Sequence, residues 1–149
     1  MDRWTFCKKG HVHWGTEGGA GILFRHTPKQ GEPVYLLAQR AQSVDFGGTW
    51  GVPGGALRPG ETPAIAARRE AEEEIGEIPP VRTAAAVVQD CGGGWLFHLI
   101  IADVDAPFAA YCVRETDATG WYTLREMQNL SLHPELRNWI NRSDTQLLA

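Results

Sequence analysis

Residues 55–77 read GALRPGETPAIAARREAEEEIGE, and the rest of the chain can be organised around this stretch. Thr62 followed by Pro63 marks a helix start. The hydroxyl can accept from an N–H of the first turn, and proline at the first helical position lacks an N–H that has no partner there anyway. Gly76 is the matching stop, because glycine most readily takes the left-handed backbone in which helices commonly end. At about 100° per residue, Glu70, Glu73 and Glu74 fall on one side of such a helix and Glu72 on the other. Ala64, Ala71 and Ile75 form a small apolar stripe, which predicts close packing against a sheet.

Carboxylates spaced i, i+3 and i, i+4 repel by a few tenths of a kcal/mol per exposed pair, and more strongly where water is excluded. A divalent cation among them removes that cost. Oxygen ligands with no thiolate or imidazole nearby suit Mg²⁺, with Mn²⁺ as a substitute, better than zinc. A solvated acidic helix face is the competing reading of the same run.

Spacing decides between the two. Gly55, five residues, Glu61, seven residues and then Arg69-Glu70-Ala71-Glu72-Glu73-Glu74-Ile75-Gly76 resembles the Nudix box, G-x5-E-x7-R-E-U-x-E-E-x-G-U, where U is a bulky aliphatic residue. The preceding Trp50-Gly51-Val52-Pro53-Gly54 is also similar to the family. Ala71 is small for its position and Glu77 stands at the final aliphatic site, with Ile78 next to it; both are packing positions. The resemblance covers roughly residues 19–142 and implies an α/β fold, an α/β/α sandwich around a mixed β-sheet. It implies hydrolysis of a nucleoside diphosphate linked to another group. Glu70, Glu73, Glu74 and the Gly54 carbonyl are the implied metal ligands, with Mg²⁺ offsetting the charge of the phosphate oxygens. Glu61 and Arg69 match a salt bridge that holds the loop onto the helix. For the general base the resemblance leaves a box glutamate, Glu73 or Glu74, or a downstream loop acid, for which Glu115 before Trp121 is the candidate.

A chain of 149 residues, 43% apolar and 21% charged, reads as one globular domain, here residues 19–149 behind an N-terminal arm over 1–18. A net charge of −4 argues against a nucleic-acid polymer or an anionic membrane as partner. No apolar run reaches the roughly 18 residues of a membrane span. The first residues lack a signal-peptide pattern, so the expectation is a cytoplasmic protein. Cys7, Cys91 and Cys112 are odd in number and far apart, consistent with reduced thiols. Cys7, His11 and His13 lack an evident fourth ligand, which favours a plain irregular arm over a zinc clip.

Along the chain, 19–25 and 34–40 read as strands in a hairpin-type connection, 41–48 as a polar loop and 49–52 as a short strand. Residues 82–90 and 95–104 read as strands around a turn at 91–94. Two short strands are expected at 109–114 and 120–124, around a polar bend Glu115-Thr116-Asp117, then helices at 125–130 and 134–141.

The box does not choose the leaving group. Arg40 and Arg58 are candidate phosphate contacts. Trp50, Trp95, Phe97 and Trp121 are candidates for stacking a base, and His133 for a polar contact at a helix start. Core packing is the competing role for the aromatic residues. His13-Trp14-Gly15, Gly47-Gly48-Thr49-Trp50 and Leu130-Ser131-Leu132-His133-Pro134 together resemble the actinobacterial MutT-type branch, which implies a nucleoside triphosphate such as 8-oxo-dGTP as substrate. A nucleotide sugar, ADP-ribose or a dinucleoside polyphosphate is the alternative substrate, and a non-catalytic nucleotide-binding module the alternative class. Family relatives that pair through strands make a homodimer an open expectation.

Overall fold

The computed structural model describes residues 4–6, 12–14, 17–90 and 95–141. Its central helix, α1 (Pro63–Ile75), forms between the two expected caps. Thr62 Oγ1 accepts from the Ile65 N–H at 3.2 Å. Gly76 closes the helix at φ +84°, its N–H donating to the Glu72 carbonyl. Ala66, Ala67, Ala71 and Ile75 are the buried residues of α1. Ala64 is exposed, contrary to the stripe expected from sequence: it lies in the first turn, and burial starts only beyond it. The buried stripe is centred on Ala67 and Ala71, and Glu74 follows these two at i+7 and i+3, which carries its side chain inward.

Strand β3 (Gly19–His26) is the spine of a mixed sheet. It runs parallel to β8 (Leu96–Asp103), from Gly19 opposite Phe97 to Arg25 opposite Asp103. On its other edge it meets β4 (Val34–Arg40) at only two pairs, Arg25 with Tyr35 and His26 with Val34. The sheet then divides, and short strands fill the division. Strand β6 (Gly54–Ala56) pairs with β3, and β5 (Trp50–Gly51) with β4. The other edge of β4 takes β9 (Thr116–Tyr122), while β7 (Arg82–Asp90) lies outside β8. Helix α1 covers one face, over a core that includes Ile22, Phe24, Leu36 and Ile100. Helices α2 (Leu124–Met127) and α3 (Pro134–Ile140) flank the other, over Leu23, Tyr35, Leu37, Leu99 and Ile101. The α/β/α sandwich is therefore the observed architecture.

Four local expectations are corrected. The arm is not irregular throughout, because β1 (Trp4–Phe6) and β2 (Val12–Trp14) form a two-stranded antiparallel sheet, as the apolar–polar alternation in both segments favours. Strand β6 forms at Gly54–Ala56, a stretch for which no strand was expected. A Cβ on Gly54 would lie 2.5 Å from the Ala20 carbonyl oxygen, so only glycine allows β3 and β6 to come this close. Residues 109–114 form no strand, because their backbone donors are used elsewhere: the Tyr111 N–H donates to the Ile75 carbonyl and the Val113 N–H to the Glu74 carbonyl, at 2.9 and 3.0 Å. The segment thereby satisfies carbonyls at the C-terminus of α1. Thr116 begins β9 and is not part of the bend, which sits one position earlier around Arg114, at φ +55°. The turn at 91–94 and the Cys7 and His11 positions lie outside the described residues.

Candidate active site

Arg69 is held by the loop that precedes its own helix. Its Nε and Nη2 donate to the two oxygens of Glu61 at 2.7 and 2.8 Å, a bidentate pair, and Nη2 also donates to the Ala56 carbonyl at 3.1 Å. The Arg58 N–H adds a 2.7 Å bond to Glu61 Oε1. The Arg69 guanidinium, followed by the Arg58 N–H, holds the Glu61 carboxyl down at about 2, and the same bond raises Arg69 above its ordinary range. Fork-to-fork geometry fixes both planes, so residues 56–61 are fastened to α1.

The remaining box glutamates differ in their surroundings. Glu70 accepts from Arg69 Nη1 at 2.8 Å and packs on the bare backbone of Gly55, where an added Cβ would lie 2.5 Å from its carboxyl carbon. Glu73 faces three guanidinium groups, those of Arg114, Arg69 and Arg58, at 3.3, 3.6 and 3.8 Å. Glu74 accepts the Gly54 N–H at 3.3 Å. Burial first, and then the negative charge of Glu70, push its carboxyl up to about 8. Glu115 pushes in the same direction, while the Gly54 N–H and Arg40 pull the other way without offsetting burial.

Among the described residues, no three carboxylate, imidazole or thiol groups already converge as a metal-ligand cluster. Glu70 and Glu73 are turned toward arginines instead. The set nevertheless fits a hard divalent cation. Its donors are all oxygens, and the buried Glu74 beside Glu70 marks a place short of positive charge.

Glu74 also lines a cavity of about 250 Å³, together with Gly54, Arg40 and Glu115. A helix on one face of the sheet reaches a cavity bordered by elements of the other face because the strands divide between β3 and β4. Trp95, Phe97 and His133 line the same space. Trp95 and Phe97 lie nearly parallel, their centroids 6.3 Å apart. His133 caps α3, its Nδ1 accepting from the Glu135 N–H at 3.1 Å, and its ring meets Phe46 edge-on. Arg40 points its Nε at the Asp45 carbonyl, 2.7 Å away.

Other sequence candidates lie outside the cavity lining. Trp50 packs edge-on against Tyr122 at 5.3 Å. Trp121 meets Phe108 and donates from Nε1 to the Phe108 carbonyl at 3.0 Å. Arg58 is 62% exposed, beside Glu73. Sequence reasoning passed over three groups near the site: Arg114, Gln89 and Glu135. Arg114 adjoins a candidate base and was findable on that ground. Gln89 and Glu135 are 46 residues apart and carry no local signal.

A family model described as NUDIX domain matches residues 16–143. This chain belongs to the Nudix family of hydrolases. A Mycobacterium tuberculosis protein named "Putative 8-oxo-dGTP diphosphatase 3" is 36% identical over 139 residues, which cover 89% of this chain and 64% of that protein. The chain thus spans just under two thirds of that relative's length. A Nudix hydrolase from M. smegmatis, RenU, superposes with a TM-score of 0.77 at 33% identity, over 93% of this chain and 94% of its own. An Ap4A hydrolase from C. elegans, 20% identical, shares the fold with a TM-score of 0.67 over 87% of this chain and 97% of its own.

Proposed function

We propose that this Nudix domain, residues 19–149 behind the arm over 1–18, hydrolyses a nucleoside triphosphate to the monophosphate and pyrophosphate. An oxidised purine nucleotide of the 8-oxo-dGTP type is the proposed substrate, met in the cytoplasmic nucleotide pool. One observation carries this reading: a box carboxylate, Glu74, lines the same cavity as a pair of aromatic rings. Phosphate chemistry and base binding then share one space. The name of the M. tuberculosis relative supports the same substrate class, and that of the M. smegmatis relative supports hydrolysis alone.

Glu70, Glu73 and Glu74 would hold the Mg²⁺, for which Mn²⁺ substitutes, with the Gly54 carbonyl as a further ligand. When bound, the cation supplies the positive charge that a run of phosphates needs before a nucleophile can approach. The protein's own groups do the rest. The Glu61–Arg69 pair keeps the Gly55 loop against α1 and so keeps Glu70 in place. Glu115, or a box glutamate, takes the proton of the attacking water. Arg40 faces the phosphates from the cavity wall, and Arg58 and Arg114 turn to them from Glu73. Trp95 and Phe97 exclude water around the base.

The test is incubation with Mg²⁺ and a panel of nucleoside triphosphates, oxidised purine triphosphates, nucleotide sugars, ADP-ribose and dinucleoside polyphosphates, with products identified and a Glu73→Gln control alongside. Monophosphate and pyrophosphate from a purine triphosphate, lost in the control and in EDTA, support the reading. Turnover confined to a nucleotide sugar or a dinucleoside polyphosphate replaces the substrate. Tight binding without any turnover replaces the hydrolase with a binding module.

A further inference from the structure

Glu73 is a candidate metal ligand whose carboxylate already has positive charge beside it. Arg114 Nη1 donates to its Oε2 at 3.3 Å, and guanidinium nitrogens of Arg69 and Arg58 stand at 3.6 and 3.8 Å. The three side chains are not equally free to leave. Arg69 is 17% exposed and is held by Glu61, Glu70 and the Ala56 carbonyl. Arg58 lies beyond hydrogen-bonding distance. Arg114 is the nearest of the three and is 65% exposed.

The backbone under Arg114 is fixed while its side chain is not. The Thr116 N–H donates to the Val113 carbonyl at 3.2 Å, closing the bend around it, and the Ala41 N–H to the Glu115 carbonyl at 2.8 Å. Arg114 holds φ +55°, a left-handed conformation that costs a residue with a Cβ free energy and suits glycine. The next residue, Glu115, lines the cavity together with Glu74. One bend therefore sets a guanidinium on Glu73 and a carboxylate on the cavity wall. A carboxylate oxygen that accepts from a guanidinium is not open to a cation at the same time.

We propose that Arg114 competes with the divalent cation for Glu73 until a phosphate chain draws the guanidinium off. Phosphate oxygens offer Arg114 acceptors at least as good as the carboxylate, and the carboxylate it leaves becomes a ligand for the cation. Cation and phosphate chain then favour each other's binding, because each takes up the partner that holds the other back, and the coupling is reciprocal. The bond to Glu73 costs the protein little to break, since an exposed ion pair is weak. The phosphate ligand rests on the nucleotide-hydrolase reading, but the test requires no turnover.

The experiment measures, by calorimetry on the whole chain, binding of Mn²⁺ alone and, separately, of inorganic pyrophosphate in EDTA. Arg114→Gln is expected to bind Mn²⁺ about two- to fivefold tighter and pyrophosphate about tenfold weaker. Arg114→Gly is expected to shift both affinities the same way while melting at or above the parent temperature, because glycine suits the left-handed backbone. Arg68→Gln removes an equal charge from α1, but one paired with Glu72 at 3.1 Å, and is expected to change neither affinity. Opposite shifts confined to the Arg114 variants support the proposal. Unchanged or weaker Mn²⁺ binding in both Arg114 variants overturns it, as does an equal gain in Arg68→Gln, which would reduce the effect to net charge. Pyrophosphate affinity independent of Arg114 overturns it as well. The expected shifts in a protein that turns over no nucleotide leave the competition standing and retire the hydrolase reading. Turnover with neither shift does the reverse.

Discussion

Helices α1 and α3 cover opposite faces of one sheet and meet it with side chains of very different size. Helix α1 buries Ala66, Ala67, Ala71 and Ile75, and α3 buries Leu136, Trp139 and Ile140. Helix separation follows the size of the contacting side chains. Three alanines let the backbone of α1 sit low, so that Glu70 touches the Gly55 backbone and Glu74 reaches the Gly54 N–H. The bulk beneath α3 and the aromatic residues beside it leave a cavity of about 250 Å³ along that side. Close packing thus positions charge on one face, and open packing makes room for a ligand on the other. If that division holds, changes on the α1 side should act on turnover and changes on the α3 side on ligand choice.

Glu74→Gln tests the division most severely. It is expected to lower kcat by about 10²–10⁴-fold, the range for losing a group that handles a proton in the reaction, with little change in monophosphate binding. The same variant should melt at a higher temperature in EDTA at neutral pH. The sign follows from the raised carboxyl: the unfolded chain ionises near 4.5 while the folded one retains its proton to about 8, so stability falls as pH rises through that window. Glutamine removes the penalty. A variant that loses both turnover and stability in EDTA would break the comparison.

Gly55→Ala sharpens it. The added methyl occupies the place of the Glu70 carboxyl group, and displacing one group that supports a metal site costs about 10–100-fold in activity or metal affinity. Metal titration by calorimetry, together with initial rates, gives the result. Arg69→Lys keeps the charge but loses the bidentate grip on Glu61, and a loss within the same range, about 10-fold or more, is expected.

These α1-side effects are foreseeable because their signals are local. Thr62, Pro63 and Gly76 cap a helix from adjacent positions, and the box residues sit at fixed intervals along one chain segment. The strands 34–40 and 82–90 were equally open to reading, from continuous apolar and β-branched runs. The α3 side was hidden for a physical reason: its cavity is assembled from β4, β7, β8, Glu115, the start of β9 and α3, which meet only when the sheet forms. Aromatic residues were candidates for stacking, yet sequence could not tell Trp95, which lines the cavity, from Trp50 and Trp121, which pack on Tyr122 and Phe108. The strand expected at 109–114 failed because its donors serve the end of a helix 35 or more residues earlier.

Acid titration gives a smaller effect confined to the α1 side. Glu61 is held at about 2 in the fold against an ordinary 4.5, so its contribution to stability is complete above 4.5 and is lost as pH falls toward 2. Melting curves across this range should show a loss that Glu61→Gln abolishes. Trp121→Phe should do least. It removes the bond to the Phe108 carbonyl, for a cost of about 1 kcal/mol in stability, and should leave KM within about twofold because Trp121 is not among the residues lining the cavity. A large rise in KM would return Trp121 to the ligand site.

The two bonds from Tyr111 and Val113 to the end of α1 also act as pegs in the chain path. They anchor it two to four residues before Glu115, whatever lies between 105 and 109. Extra residues spliced into that stretch should bulge outward and leave Glu115 where it is, whereas a single insertion between 113 and 115 should carry it off station. The first position suits the grafting of a recognition loop beside the cavity, and the second should be left untouched.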